Sequence, residues 1–137
     1  MKLKKRKLLT ILGIVSVFLF AGCQKDDFEE IVGLCPSITT SNPLAGAVDV
    51  SINNSITVKF NEKMDPSTIN TSSFTLLQTL SPIAGTVTYT DSTATFDPSS
   101  SLLANTNYTA RLTTAVKSLK GNAIQSDFVW SFRTGIL

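Results

Sequence analysis

The chain contains no histidine in its 137 residues. That absence removes the usual general base near neutral pH and the commonest metal ligand. It also excludes Ser-His and Cys-His triads, and no recognisable motif supports Ser-Lys chemistry in their place. Cysteine is scarce, with only Cys23 and Cys35. Helical periodicity is absent from the body of the chain: no window longer than ten residues holds an apolar stripe of 3.6-residue spacing. The one sustained apolar run, residues 8–20, is shorter than the about 20 residues of a comfortable membrane span.

What is present begins at the N-terminus. Lys2, Lys4, Lys5, Arg6 and Lys7 precede the apolar run. This order reads as a secretory signal, since the charges stay cytoplasmic while the apolar run enters the translocon. The run closes on small residues and a cysteine, Leu19-Phe20-Ala21-Gly22-Cys23. This stretch resembles the lipobox of bacterial lipoproteins. The resemblance implies a signal peptide over residues 1–22, acylation of Cys23 and retention on a membrane through that anchor. Buried acyl carbons yield about 0.8 kcal/mol per CH2, and one chain holds only marginally, so the two or three chains of such proteins matter.

Residues 23–34 then read as a charged tether. Within it, Lys25, Asp26 and Asp27 resemble the surface-export tag of Bacteroidota lipoproteins, which implies an outer-membrane, lipid-anchored protein at the cell surface. A thioether on Cys23 leaves Cys35 with no partner inside the chain, so that it either pairs with another protein or, as the plainer expectation, sits inert and partly buried at the domain edge.

Processing changes the charge. The whole chain carries 12 Lys/Arg against 10 Asp/Glu, but five of the basic residues lie in the signal. Residues 36–137 hold six of each sign, so no basic stripe remains and no nucleic-acid partner is expected.

The remaining hundred or so residues suffice for one core. Ser and Thr make up 32 of the 102 residues from Pro36 onward, and β-branched Thr suits the wet face of a strand. Apolar residues alternate with polar ones in Ser55-Ile56-Thr57-Val58-Lys59-Phe60, Ser73-Phe74-Thr75-Leu76, Thr86-Val87-Thr88-Tyr89 and Thr93-Ala94-Thr95-Phe96. The pattern continues through residues 107–113 and 128–134. With an opening strand near Ile38–Ser41, about seven strands are predicted, separated by turn signals such as Asp91-Ser92 and Gly121-Asn122. The fold class is all-β, a two-sheet antiparallel sandwich with Phe60, Phe74, Phe96, Tyr108, Trp130 and Phe132 facing inward. Asp65-Pro66-Ser67-Thr68-Ile69 predicts a single capped helical turn.

These segments are similar to the bacterial Ig-like domain first described in surface-layer proteins. The resemblance rests on Pro43-Leu44-Ala45-Gly46-Ala47, Ile56-Thr57-Val58-Lys59-Phe60-Asn61-Glu62-Lys63-Met64-Asp65, Ile69-Asn70 with Phe74, and Ala94-Thr95-Phe96-Asp97-Pro98. It continues through Thr106-Asn107-Tyr108-Thr109 and Trp130-Ser131-Phe132-Arg133-Thr134-Gly135. It implies an immunoglobulin-like sandwich over residues 35–137 and a non-catalytic module that spaces or holds something outside the cell. Two alternatives stay open under it. One is a surface adhesin whose loops bind a glycan or a protein. The other is the N-terminal part of a larger secreted protein, such as one with a C-terminal ice-binding domain.

Few residues invite chemistry. Asn61, Glu62 and Asp65, with Asp127 or Asp97, offer calcium-type oxygen ligands, but their spacing matches no calcium loop. Asn61 and Asp65 are expected to cap the turn and Glu62 to face solvent. Asp91 and Asp97 are expected in or beside hairpin turns, not across a sugar-cleaving cleft. Asp91-Ser92-Thr93 resembles a short O-glycosylation acceptor of Bacteroidota. Lys59, Arg111 and Arg133 interrupt the Thr rows that an ice-binding face would need. No cofactor, metal or catalytic residue is expected.

Overall fold

The alternating segments fold into two four-stranded antiparallel sheets packed face to face. The computed structural model describes residues 35–136. In chain order the strands are β1 (Ile38–Asn42), β2 (Ile56–Phe60), β3 (Phe74–Gln78), β4 (Ser81–Pro82), β5 (Gly85–Thr90), β6 (Thr93–Pro98), β7 (Asn107–Leu112) and β8 (Phe128–Arg133). The first sheet has the order β1-β2-β6-β5 and the second β4-β3-β7-β8. The strand beyond the expected seven is β4. Its two residues pair with Leu77 and Gln78, too few to show alternation, and its proline suits only a sheet edge.

Period-two burial explains the core. In β2, Ile56, Val58 and Phe60 are buried, and in β8 Trp130 and Phe132 are buried while Ser131 and Arg133 are exposed. All six aromatics expected to face inward are buried. Phe74 joins the sheets, with ring centroids 5.9 Å from Phe96 and 6.2 Å from Trp130. Val87 and Tyr89 are only partly buried because β5 is an edge strand. No buried side-chain nitrogen or oxygen among the described residues lacks a hydrogen-bond partner, as a well-made interior requires.

Between β2 and β3 lies the expected turn, a 3-10 helix at Pro66–Thr68. Asp65 caps it, its carboxylate accepting from the Ser67 amide at 2.9 Å and the Ser67 hydroxyl at 2.7 Å. At the other end of the first sheet, Gly85 is demanded by close approach. A Cβ there would sit 2.5 Å from the Asp97 carbonyl oxygen and 2.6 Å from the Phe96 ring.

The chain changes sheets after β1. Following a cis Asn42–Pro43 bond, residues 46–50 leave the first sheet and lie along β8, with a parallel bridge between Val50 and Thr134. Gly46 takes φ +77°, a conformation that glycine adopts without steric cost.

Candidate functional site

With no catalytic constellation expected, the functional geometry is that of the two ends of the sandwich. β1 and β8 both run upward from the end where Cys35, Pro36 and Ile38 line one depression with Ile124, Asp127 and Phe128. This lower end also holds the β5–β6 hairpin, since the Phe60 amide donates to the Ser92 carbonyl at 2.8 Å. The upper end holds the 99–106 loop and the exit of the chain, joined where the Asn105 amide donates to the Gly135 carbonyl at 2.9 Å. The chain therefore comes in at one end and leaves at the other. β8 and the residues beyond it separate the two points by about 20–25 Å, at roughly 3.3 Å per residue.

Both ends are tied down. At the lower end the Ser37 amide donates to the Asn61 side-chain oxygen at 2.9 Å, and the Asn61 amide donates to the Ser37 carbonyl at 3.0 Å. At the upper end the buried Thr134 hydroxyl donates to the Leu103 carbonyl at 2.6 Å and accepts from the Thr106 amide at 2.9 Å. Tyr108 anchors the same loop, its hydroxyl accepting from the Leu103 amide at 2.8 Å. A buried tyrosine bonded to backbone just upstream is a device of Ig-like sandwiches.

Along the flank, residues 46–50 share four backbone bonds, three with β8 and one with Gly135 just beyond it. The Gly46 amide donates to Ser131 at 2.8 Å and the Arg133 amide to Ala47 at 2.8 Å. The Val50 amide donates to Arg133 at 3.1 Å and the Gly135 amide to Val50 at 2.9 Å. Nothing in the alternation pattern signals this pairing. The only local hint is Gly46 beside a proline-containing turn.

The acidic residues weighed as metal ligands have separate partners. Asn61 holds the start of β1 and does not cap the turn, because the chain leading into that strand needs an acceptor there. Asp65 does cap it. Glu62 is not turned out to solvent: its side chain is only 21% exposed, with the Lys120 ammonium 3.8 Å away. Asp127 accepts from Arg111 at 2.5 Å and from the Thr114 amide at 2.9 Å. Those bonds hold its carboxyl below the ordinary value of 3.8, the Arg111 contact contributing most. The Ser67 side chain and then its amide do the same for Asp65. Asp97 lies at the opposite end, bonded to the Ser55 hydroxyl. Among the described residues no three His, Cys, Asp or Glu gather into a metal-binding group. Asp91-Ser92 forms the tip of the β5–β6 hairpin.

Cys23, Lys25, Asp26 and Asp27 lie outside the described residues. Cys35 departs from expectation. It is disulfide-bonded, and is not an inert thiol at the domain edge. The expectation rested on a thioether consuming the sulfur of Cys23, a residue that lies outside the described ones.

Three comparisons place this architecture. The N-terminal part of the bacterial S-layer protein SbsC is 19% identical with a TM-score of 0.57, over 74% of this chain and 24% of that one. CopC from Methylosinus trichosporium OB3b is 12% identical with a TM-score of 0.61, over 73% of this chain and 93% of that one. The alpha-2-macroglobulin of E. coli is 13% identical with a TM-score of 0.57, over 77% of this chain and 6% of that one. At these identities the likeness is one of fold. None of the curated proteins matches the chain. The family model for the bacterial Ig-like domain matches residues 35–134, well over half of the sequence and every strand of the sandwich. The chain belongs to the bacterial Ig-like domain family.

Proposed function

We propose that this protein is a non-catalytic spacer of the cell envelope, lipid-anchored through Cys23 and exported to the outer face of the outer membrane under the direction of Lys25, Asp26 and Asp27. The observation that carries the reading is axial. The chain comes into the sandwich at one end and leaves at the other, so a tether at residues 23–34 holds the upper end away from the membrane by the length of the domain. The family supports it, as does the recurrence of the fold as a minor part of longer chains such as SbsC.

In the lipidated protein the Cys23 sulfur is a thioether and takes part in no disulfide. Cys23→Ser is expected to abolish incorporation of labelled palmitate and release the protein from membranes. Labelling that survives the substitution overturns the anchor. Replacing Lys25, Asp26 and Asp27 with Ala is expected to preserve the lipid and lower protease accessibility on intact cells. Equal accessibility overturns the export role.

A further inference from the structure

We propose that the depression between residues 52–55 and 97–101, at the upper end of the sandwich, binds a neutral sugar. The site goes beyond the spacer reading and does not depend on lipidation.

The depression encloses about 340 Å³, within the few hundred Å³ of ordinary small-molecule sites. Its two walls are held together before any ligand arrives. The Leu102 amide donates to the Ile52 carbonyl at 2.8 Å, and the Ser101 hydroxyl donates to the Asn53 side-chain oxygen at 2.6 Å. The Ser55 hydroxyl donates to Oδ1 of Asp97. Binding therefore orders little, which keeps its entropic cost low.

The same bonds decide what is left for a ligand. Asp97 keeps Oδ2 as an acceptor. Asn53, with its oxygen taken by Ser101, keeps the two N–H donors of its carboxamide. An accepting carboxylate and a donating amide in one depression match neighbouring sugar hydroxyls, each of which both donates and accepts. Ser99 and Ser100, both exposed, add hydroxyls that rotate to suit. Ile52 and Pro98 are half-buried in the lining and offer apolar surface to the C–H face of a ring. Among the described residues, those lining the depression include no Lys, no Arg and no carboxylate besides Asp97. An anionic ligand meets a like charge there with no cation to offset it. One carboxylate falls short of the oxygen-rich cage that calcium takes. A neutral polyhydroxyl compound fits both restrictions.

The test titrates the isotope-labelled full chain, kept soluble in a zwitterionic detergent without sugar headgroups, and follows backbone amide shifts by NMR. The probes are the methyl glycosides of glucose, galactose and mannose, with N-acetylneuraminic acid as the anionic comparison. At least one glycoside is expected to give saturable shifts confined to residues 52–55 and 97–101, with Kd on the order of 1 mM. The acidic sugar is expected to give none. Absence of saturable shifts with all three glycosides overturns the site, and an equal response to the acidic sugar overturns its preference for neutral ligands. Asp97→Asn and Asn53→Ala, both at exposed positions, are each expected to weaken binding about tenfold. Unchanged affinity in both folded variants also overturns the proposal. If neither folds, the pattern of shifts in the unaltered chain decides. Palmitate labelling reads the anchor alone, so failure of the sugar site and failure of the anchor are separately visible.

Discussion

The Trp130 indole N–H reaches across 87 positions to the Pro43 carbonyl, a 3.0 Å bond buried where the chain passes from one sheet to the other. It joins the last strand to the crossover that covers its flank. Trp130→Phe keeps an aromatic ring beside Phe74 and Phe128 but strands the carbonyl. The expected cost is about 1–3 kcal/mol, the penalty of an unsatisfied buried acceptor. Urea unfolding measures it, and an unchanged midpoint counts against the role of this bond.

Gly85 is where β5 approaches β6 most closely. Gly85→Ala forces a methyl against the Asp97 carbonyl and the Phe96 ring, and backbone on one side cannot rotate away. Overpacking of this kind costs about 1–3 kcal/mol. Calorimetry is expected to show a lower Tm. A rise in Tm, as loss of glycine flexibility alone would give, rejects the steric account.

The β5–β6 hairpin turns through Asp91 at φ +48° and Ser92 at φ +62°, the double left-handed geometry of a type I′ turn, which favours glycine at its second position. Ser92→Gly relieves a left-handed side chain whose cost is roughly 1–2 kcal/mol, offset in part by glycine's greater unfolded-state entropy. A net gain of several tenths of a kcal/mol or more is expected in thermal or urea melts. A loss of stability means that the Ser92 side chain contributes something its backbone geometry does not reveal.

Asp65 and Asp127 give the domain an acid dependence of known sign. Both carboxyls titrate below their ordinary value of 3.8 in the folded chain, Asp127 chiefly through Arg111 and Asp65 chiefly through Ser67. The unfolded chain therefore binds protons more readily, and the stabilisation is complete above about 3.8 and lost as pH falls through the lowered folded values. The double variant Asp65→Asn, Asp127→Asn is expected to lose Tm less steeply than the parent on acidification below pH 4. Parallel profiles in the two proteins contradict the assignment.

Period-two alternation made seven of the eight strands and the six central aromatics legible, because one wet face and one dry face leave a mark on every second residue. Asp65 and Pro66 marked the capped turn as plainly, since cap and proline act within a few residues of one another. What stayed hidden depends on distant partners. β4 has only two residues. The pairing of residues 46–50 with β8 is made of backbone groups and leaves no side-chain trace. Asn61 looked like a second cap because it lies four residues before Asp65, yet its partner is Ser37, 24 residues away. Asp127 and Arg111 likewise meet only because β7 and β8 are neighbours.

A sandwich has open rims as well as faces, and exposed backbone on a rim invites a strand from another molecule. The β8 rim is occupied by residues 46–50 over its upper half. β4 ends the same sheet with two residues, one of them proline. β1 carries a register shift between Ile38 and Thr40 that breaks its regularity. Only β5 presents a regular six-residue edge among the described residues, with Thr86, Thr88 and Thr90 exposed along it. Copies of this domain meeting edge to edge thus find interrupted or partly covered backbone on three rims of four, and β5 is the regular edge open to strand addition.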